Sequence, residues 1–209
     1  MHTIGLTGGI ATGKSTVSQY LMHQAKLPLL DADCFARDAV SPHSEGLRAL
    51  AHRYGTKLLQ KDGTLDRAQL AQIIFQDAAE RFWVESLLHP YVRQRLVEGQ
   101  QLAQAQKTAI LVMDIPLLFE AQMTDLVSEI WVVSCSSEQQ LARLISRNHL
   151  TQAEGQARIE SQMPLAQKCC LADVVLDNSG SLEMLFRQVD QALQGLTNFR
   201  ASFRASFRG

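Results

Sequence analysis

The stretch Gly8-Gly-Ile-Ala-Thr-Gly13-Lys14-Ser15 decides the fold of this chain. It has the form G-x-x-x-x-G-K-[ST] of a phosphate-binding loop, follows the apolar run Thr3–Thr7 and opens the helical pattern Ser15–Gln24. Glycines let the backbone approach phosphate oxygens closely, and we expect the N–H groups of residues 9–15 to point at them. A glycine-rich turn that carries Lys-Ser by coincidence would not need this order of strand, loop and helix. The motif therefore predicts a nucleotide site.

Each residue of this loop has a predicted role. Lys14 is expected to reach the β- and γ-phosphates of ATP, and the Ser15 hydroxyl is expected to bind Mg²⁺. The remaining nucleotide-binding residues are predicted from their place in the motif, and they are Gly9, Ile10, Ala11, Thr12, Gly13 and Thr16.

Four more apolar runs are typical of strands, namely Leu27–Leu30, Ala109–Asp114, Glu129–Ser134 and Val174–Asp177. Stretches with helical periodicity lie between them, for example Ala68–Phe75 and Glu138–Arg147. Nearly continuous apolar strands that alternate with helices indicate a parallel sheet covered on both faces. The pattern predicts a three-layer α/β fold with a five-stranded parallel sheet.

The spacing of the strands predicts the domain organisation. About 80 residues separate the second strand from the third, more than one crossover helix needs, so we expect a helical acceptor-binding insert at about 34–107. The polar helical stretch at about 138–171 is expected to form a lid. The core of the kinase-like domain (1–197) then comprises 1–33, 108–137 and 172–197. The repeated Phe-Arg-Ala-Ser of residues 198–209 predicts a low-complexity, disordered tail.

Acidic residues follow two of the predicted strands. Asp31-Ala32-Asp33 ends the second strand, where open α/β sheets bind ligands, so Asp33 is predicted to accept a proton from an acceptor hydroxyl. Asp31 has two interpretations, a helix cap or a functional carboxylate. Asp114 ends the third strand as in a Walker B motif and is predicted to hold Mg²⁺. These carboxylates, and the absence of an N-K-x-D motif, favour a kinase over a GTPase.

Two arginines in the predicted lid share one helix face, because Arg143 and Arg147 are four residues apart. A mobile arginine can stabilise the charge that develops on a transferred phosphoryl group. The alternative is a solvated basic face. Their place after the fourth strand predicts a function for at least one of them.

Composition limits the partners. The 209 residues carry a formal net charge of −1, without the basic excess typical of nucleic-acid-binding proteins. No apolar run approaches the roughly 20 residues of a membrane helix, and no secretory signal pattern opens the chain. The four cysteines form no C-x-x-C pair and are interpreted as reduced thiols. We expect a cytoplasmic protein, a monomer or weak homo-oligomer that binds small molecules but neither nucleic acid nor membrane.

The chain resembles the dephospho-coenzyme A kinase family over Ile4 to about Leu193. Besides the phosphate loop and Asp-Ala-Asp, the resemblance rests on Gly63-Thr-Leu-Asp66-Arg67, Leu88-His89-Pro90, Asp114-Ile-Pro-Leu-Leu-Phe-Glu120, Gln140-Leu-Ala-Arg143 through Arg147, and Ala172-Asp173 with Asn178. It implies transfer of phosphate from ATP, with Mg²⁺, to the ribose 3′-hydroxyl of dephospho-CoA. Likeness to nucleotide kinases also implies the strand order 2-3-1-4-5.

The resemblance assigns further roles. Asp33 would be the base, Arg143 would bind phosphates from the lid, and Asn178 would lie near the adenine of ATP. Substrate-binding residues would be Asp33, Arg67, His89 and Pro116, while Arg147 would contact the nucleotide. From the residues alone, His89-Pro90 could instead be a capped helix junction and Pro116 the first residue of a helix. Asp66 could simply begin a helix beside a solvated Arg67.

The chain departs from the family pattern in two places. Ala11-Thr12 replaces the usual Gly-Ser, so Ala11 must take an ordinary conformation or leave the loop slightly strained. Asn148 replaces an aspartate after Arg147, which would free Arg147 from an ion pair. Another small-molecule kinase of the nucleoside monophosphate class, or a non-catalytic nucleotide-dependent switch, remains as the alternative function.

Overall fold

The computed structural model describes the backbone of residues 1–206 and the side chains of residues 1–196. One sheet contains five strands in the order β2-β3-β1-β4-β5, and the pairs β1–β3, β1–β4 and β4–β5 are parallel. The strands are β1 (His2–Gly8), β2 (Leu29–Asp31), β3 (Ile110–Asp114), β4 (Glu129–Ser134) and β5 (Val174–Asp177). The strand order confirms the prediction, and each strand lies within two residues of its predicted bounds.

Nine α-helices occur within residues 1–206: α1 (Lys14–His23), α2 (Ala32–Asp38), α3 (Glu45–Tyr54), α4 (Arg67–Gln76), α5 (Ala78–Ala105), α6 (Ser137–Asn148), α7 (Gln152–Glu160), α8 (Leu165–Cys170) and α9 (Leu182–Ser206). Most of them have an N-cap residue whose side-chain oxygen accepts a hydrogen bond from a backbone N–H of the first turn. Ser44 caps α3, Asp66 caps α4, and Thr151 forms a reciprocal capping box with Glu154 at α7. Each cap satisfies N–H groups that the first helical turn leaves free.

The chain divides into two compact units. The first unit comprises Met1–Leu29 with Ala109–Gly209, and the second comprises Leu30–Thr108. The predicted insert at about 34–107 falls within the second unit. The predicted lid segment at about 138–171 contains α7, α8 and all of α6 except its first residue.

Each unit has a core of its own. In the first unit, β1 is buried from Thr3 onward and all five residues of β3 are buried, which explains why these parallel strands are apolar on both faces. Helices α1 and α9 pack Val17, Leu21 and Leu185 against them. In the second unit, one core cluster consists of the buried residues Val40, Leu47, Leu50, Leu58, Leu65, Leu70 and Val84.

Two of the alternative interpretations of local structure are not what the structure shows. Pro116 begins a run of turns instead of a helix. His89-Pro90 is not a junction, since Pro90 lies inside the continuous helix α5. The backbone of the predicted tail is helical as far as Ser206, where α9 ends, and residues 207–209 lie outside the described part.

Candidate nucleotide site and acceptor cavity

The phosphate loop ends in a helix terminus that no described side chain caps. Gly13 precedes α1 with φ of 101°, a left-handed conformation that favours glycine, and a Cβ there would lie 2.1 Å from Nδ2 of Asn178. The free N–H groups and the dipole of this helix make an anion site. The loop geometry therefore fits the phosphates of a nucleotide.

Lys14 forms an ion pair with Asp114 through Nζ and Oδ1. Asp114 is buried at 4% exposure and Lys14 is half-buried. This contact joins the residue predicted to reach the phosphates to the residue predicted to hold Mg²⁺. The pairing leaves the ammonium group localised beside the loop.

The oxygen donors near the loop fit a magnesium ion that arrives with a nucleotide. Mg²⁺ takes oxygen ligands and commonly keeps several waters besides one or two protein groups and substrate phosphates. Ser15 is exposed in the first turn of α1, and Asp114 supplies a carboxylate. Among the side chains of residues 1–196, no cluster of three His, Cys, Asp or Glu could hold a resident metal. The donor set fits Mg²⁺–ATP.

The sequence left two alternatives for Ala11, an ordinary backbone conformation or a strained one, and the structure shows the strained one. Its φ is 61°, in the left-handed region, which costs an L-residue about 1–2 kcal/mol. Its neighbour Thr12 is fully buried, and the Thr12 hydroxyl donates a hydrogen bond to the carbonyl of Gly9 (2.9 Å). This hydrogen bond joins the residues on both sides of Ile10 and the strained Ala11, and so stabilises the loop conformation.

Two glutamines of the predicted lid segment bind the peptide groups of Ile10. The Ile10 N–H donates to Oε1 of Gln162, and Nε2 of Gln140 donates to the Ile10 carbonyl, both at 2.9 Å. The N–H of Thr12 donates to Gly9 at 3.3 Å. The expectation that every N–H from residue 9 to 15 faces the phosphates was therefore wrong for Ile10 and Thr12.

Asn178 and Arg143 extend this site towards α6. The buried Asn178 side chain donates from Nδ2 to the Thr12 carbonyl (2.8 Å), and Nη2 of Arg143 donates to the Asn178 carbonyl (3.0 Å). Among the side chains that the structure describes, Nη1 of Arg143 is buried without a hydrogen-bond partner. A half-buried guanidinium with a spare donor suits an anionic ligand.

Arg147 has a different environment although it shares the helix. It is exposed, and its Nε donates to Oδ1 of Asn148 at 2.9 Å. Asn148 is neutral, so this contact is a hydrogen bond and not an ion pair. It nevertheless orients the Arg147 guanidinium.

A buried lysine that the sequence analysis did not single out lies behind the loop. Nζ of Lys168, on α8, is fully buried and contacts Oε1 of Glu120 (2.8 Å) and the carbonyls of Gly8 (3.3 Å) and Pro116 (3.5 Å). The Pro116 carbonyl also accepts from the Thr7 hydroxyl (2.9 Å). Pro116, predicted to bind substrate, therefore has structural contacts in the first unit. Of the two charged residues in this cluster, Glu120 belongs to a segment quoted in the sequence analysis, whereas Lys168 belongs to no motif.

In the second unit, the two aspartates of Asp-Ala-Asp have separate surroundings. Asp31 caps α2, and its Oδ1 accepts hydrogen bonds from the N–H groups of Asp33 (2.8 Å) and Cys34 (3.2 Å). The carboxylate of Asp33 is exposed and accepts no hydrogen bond within residues 30–108. Capping therefore explains Asp31 and leaves Asp33 for another role.

Two adjoining cavities of the second unit carry arginines. One cavity, of about 440 Å³, is lined by Arg37, Arg67 and Asp66, the residue that precedes α4. Another of about 250 Å³ shares both arginines and adds Asp33. Its apolar lining consists of Ala36, Val40, Leu65, Leu70, Ala71, Ile74 and Leu88. Asp66 caps α4 by accepting a hydrogen bond from the backbone N–H of Gln69 (3.0 Å), and Arg67 is exposed as the first helical residue.

His89 is half-buried in α5 and is not among the residues that line these two cavities. Burial lowers its pKa below the ordinary value, and the nearby Glu85 carboxylate opposes this shift. His89 is therefore disposed to stay neutral at neutral pH.

Sequence comparisons match this chain to one family of known proteins. The sequence profile of the family described as dephospho-CoA kinase matches residues 2–184. A protein named dephospho-CoA kinase from Trichormus variabilis is 59% identical over 191 residues, which cover 91% of this chain and 95% of that protein. One of the same name from Synechocystis sp. is 54% identical, with 90% and 93% covered.

Two solved structures have the same fold. A crystal structure from Thermus thermophilus is 33% identical with a TM-score of 0.76, covering 93% of this chain and 97% of that one. The dephospho-CoA kinase from Campylobacter jejuni is 25% identical with a TM-score of 0.70, covering 95% and 98%. With the profile match spanning most of the sequence and relatives above half identity, this chain belongs to the dephospho-CoA kinase family.

Proposed function

We propose that this protein transfers the γ-phosphoryl group of ATP to the ribose 3′-hydroxyl of dephospho-CoA, giving coenzyme A and ADP in the last step of coenzyme A synthesis. The observation that carries the proposal is the carboxylate of Asp33. It is exposed beside two arginines in a cavity of the second unit, whereas its neighbour Asp31 is used as a helix cap.

The first unit supplies the nucleotide side of the proposed reaction. The uncapped start of α1 would bind phosphate oxygens, and Lys14 would exchange its contact with Asp114 for the β- and γ-phosphates. When bound, Mg²⁺ would neutralise charge on the phosphates, held from Ser15 and Asp114. Arg143, with a spare buried donor, would add positive charge where the transferred group becomes more anionic.

The second unit has the chemistry of the proposed acceptor. Dephospho-CoA joins an adenosine to a pantetheine arm through two phosphates, so it needs both cationic and apolar contacts. Arg37 and Arg67 can bind phosphate oxygens through several N–H groups each. The leucines and isoleucine of the same cavities offer apolar surface for an uncharged arm.

In the proposed step, the 3′-oxygen forms a bond to the γ-phosphorus while the bond from that phosphorus to the ADP oxygen breaks. The hydroxyl proton passes to Asp33, and ADP leaves with the electron pair of the broken bond. His89 is proposed to contribute to acceptor binding from α5. Arg147 and Asn178 are proposed to contact the nucleotide.

We propose that this reaction takes place in the cytoplasm, which the four unpaired cysteines favour. Of the helices in the described part of the chain, none is both long and apolar enough to cross a membrane.

The test is ADP release from Mg²⁺–ATP with dephospho-CoA, AMP, uridine monophosphate or shikimate as acceptor, with mass spectrometry of the product. We expect stimulation by dephospho-CoA alone and a product heavier by one phosphoryl group. Stimulation by another acceptor would keep the kinase and overturn the substrate. Slow ATP turnover that no acceptor stimulates would favour a nucleotide-dependent switch.

A further inference from the structure

Two lid glutamines hold residue Ile10 of the phosphate loop from both sides. Gln140, on α6, is 4% exposed and donates to the Ile10 carbonyl, while Gln162, between α7 and α8, accepts the Ile10 N–H. The fit is close, since a Cβ on Gly9 would lie 2.6 Å from Nε2 of Gln140. Both polar groups of the residue that precedes Ala11 are therefore fixed by the lid segment.

The residue held in this way lies next to the strained position of the loop. Ala11 has a φ of 61°, and the following Thr12 is fixed by its own bond to Gly9 and by Asn178. Strained backbone persists only where its surroundings over-determine it. Without the glutamines, Ile10 would lose both of these hydrogen bonds, and the bonds between Thr12 and Gly9 would have to hold Ala11 in its strained conformation.

The segment that carries Gln162 is itself anchored to the first unit. The N–H of the next residue, Met163, donates to Oε1 of Glu120 (3.0 Å), and Glu120 also pairs with the buried Lys168. Lys168 contacts the carbonyl of Gly8, where the loop begins. Gln162 is thus presented to Ile10 from a fixed support.

We propose that Gln140 and Gln162 are positioning residues that hold the phosphate loop, at Ala11, in the conformation that binds ATP. This inference rests on the proposed ATP site and deepens it, because it makes nucleotide affinity depend on the lid segment. Neither glutamine needs to touch the nucleotide. Their effect is to raise the fraction of protein whose loop is ready to bind.

The mechanism predicts a specific kinetic signature. When only a fraction of the protein is competent, the apparent dissociation constant rises in inverse proportion to that fraction. At saturating ATP every loop is ordered by the ligand, so kcat is retained. Loss of the glutamines should therefore weaken Mg²⁺–ATP binding without slowing the transfer step.

The experiment measures the Kd of Mg²⁺–ATP by calorimetry without an acceptor, together with kcat and the KM for ATP. The variants are Gln140→Met and Gln162→Met, which keep the side-chain size but remove the hydrogen bonds. Each should raise Kd about 3- to 10-fold, the effect of one hydrogen bond, with kcat within about twofold of the unsubstituted protein.

The decisive arm repeats both variants in an Ala11→Gly background. Glycine adopts positive φ without steric cost, so the loop needs less support there. We expect each glutamine substitution to change Kd less than about twofold in this background. Gln156→Met is the matched control, since Gln156 lies on α7 and donates only to Glu160 (2.7 Å); its Kd should not change.

Three results would overturn the inference. The first is an unchanged Kd in both glutamine variants that fold, as judged by their Tm. The second is an equal loss of affinity with and without the Ala11→Gly substitution, which would mean that strain at Ala11 is not involved. The third is tighter binding, which would mean that Gln162 competes with a phosphate oxygen for the Ile10 N–H. Because the Kd is measured without an acceptor, failure to phosphorylate dephospho-CoA would leave this inference standing.

Discussion

At the scale of single residues, Asp31 and Asp33 are the same side chain two positions apart with different surroundings. Asp31 caps α2, and Asp33 lines an arginine-containing cavity. We predict that Asp33→Asn lowers kcat by about 10²- to 10⁴-fold, the contribution of a general base. Asp31→Ala should instead lower the free energy of unfolding by about 1 kcal/mol, as loss of an N-cap does.

Steady-state kinetics and urea unfolding of both variants separate the two roles. A large loss of kcat in Asp31→Ala, with unchanged stability, would contradict the division of work between the two carboxylates. So would full activity in Asp33→Asn.

The buried ion pair of Lys168 with Glu120 gives a second residue-scale prediction. Lys168→Met leaves the Glu120 carboxylate, 23% exposed, without its cation, and should cost about 3 kcal/mol of unfolding free energy. Adding Glu120→Gln should recover part of this loss. The measurement is urea unfolding of the single and double variants.

The pair Arg187–Glu183 on α9 serves as the matched control for that experiment. Both side chains are more than 70% exposed, so Arg187→Met should cost less than about 0.5 kcal/mol. Equal losses at the two sites would show that burial does not set the strength of the Lys168 contact.

These residues differ in how far the sequence could predict them. The phosphate loop is a contiguous motif with one chemistry, so Lys14 and Ser15 could be assigned from their spacing. Gln162 and Lys168 are single polar residues in a polar helical stretch, and their contacts with Ile10 and Gly8 join positions more than 150 residues apart. No periodicity or local motif carries such a pairing.

At the scale of elements, helix α6 presents two arginines with unlike surroundings. Arg143 is half-buried with a spare donor, whereas Arg147 is exposed and bound to Asn148. We predict that Arg143→Ala lowers kcat about 10²-fold, as removal of a transition-state donor does. Arg147→Ala should lower it less than about fivefold. Initial rates at saturating substrates test this, and equal losses would contradict it.

Helix α5 carries a histidine whose protonation opposes folding. Burial lowers the pKa of His89 in the folded protein, so the unfolded chain takes up the proton more readily. The resulting stability is present above the unfolded pKa of about 6.5 and is lost as the pH falls through the lower folded pKa. We predict that Tm falls less between pH 7.5 and pH 5.5 in His89→Gln than in the unsubstituted protein. Parallel curves would contradict this role.

The same helix shows why element boundaries are hard to predict. Proline inside a helix removes one hydrogen bond and usually ends the helix, so a junction at His89-Pro90 was one of two open interpretations. In the structure α5 continues for 28 residues, with Val84, Val92 and Leu96 buried on both sides of Pro90. Packing along the whole helix outweighs the local penalty. The strands, by contrast, were predictable because both faces of each are apolar.

At the scale of the whole molecule, the two units divide the proposed chemistry. Residues proposed to bind ATP lie in the first unit, and the arginine-lined cavities lie in the second. The long interval between β2 and β3 predicted an additional helical segment, because one crossover needs far fewer residues. The cavities themselves could not be predicted, since they depend on how α2 and α4 pack around Leu65.

The last prediction concerns the metal, which we expect to stabilise the protein only together with the nucleotide. Ser15 and Asp114 alone offer too few ligands for a resident ion, so EDTA without ATP should leave Tm unchanged. Mg²⁺–ATP at about 100 times its Kd should raise Tm by roughly 5–10 °C, from a binding contribution of about 2.7 kcal/mol. ATP with EDTA should give a much smaller rise and no phosphoryl transfer. Thermal unfolding is measured for the protein alone, with EDTA, with Mg²⁺–ATP, and with ATP and EDTA. If the protein held a resident structural metal, EDTA added to the protein alone would remove it and lower Tm.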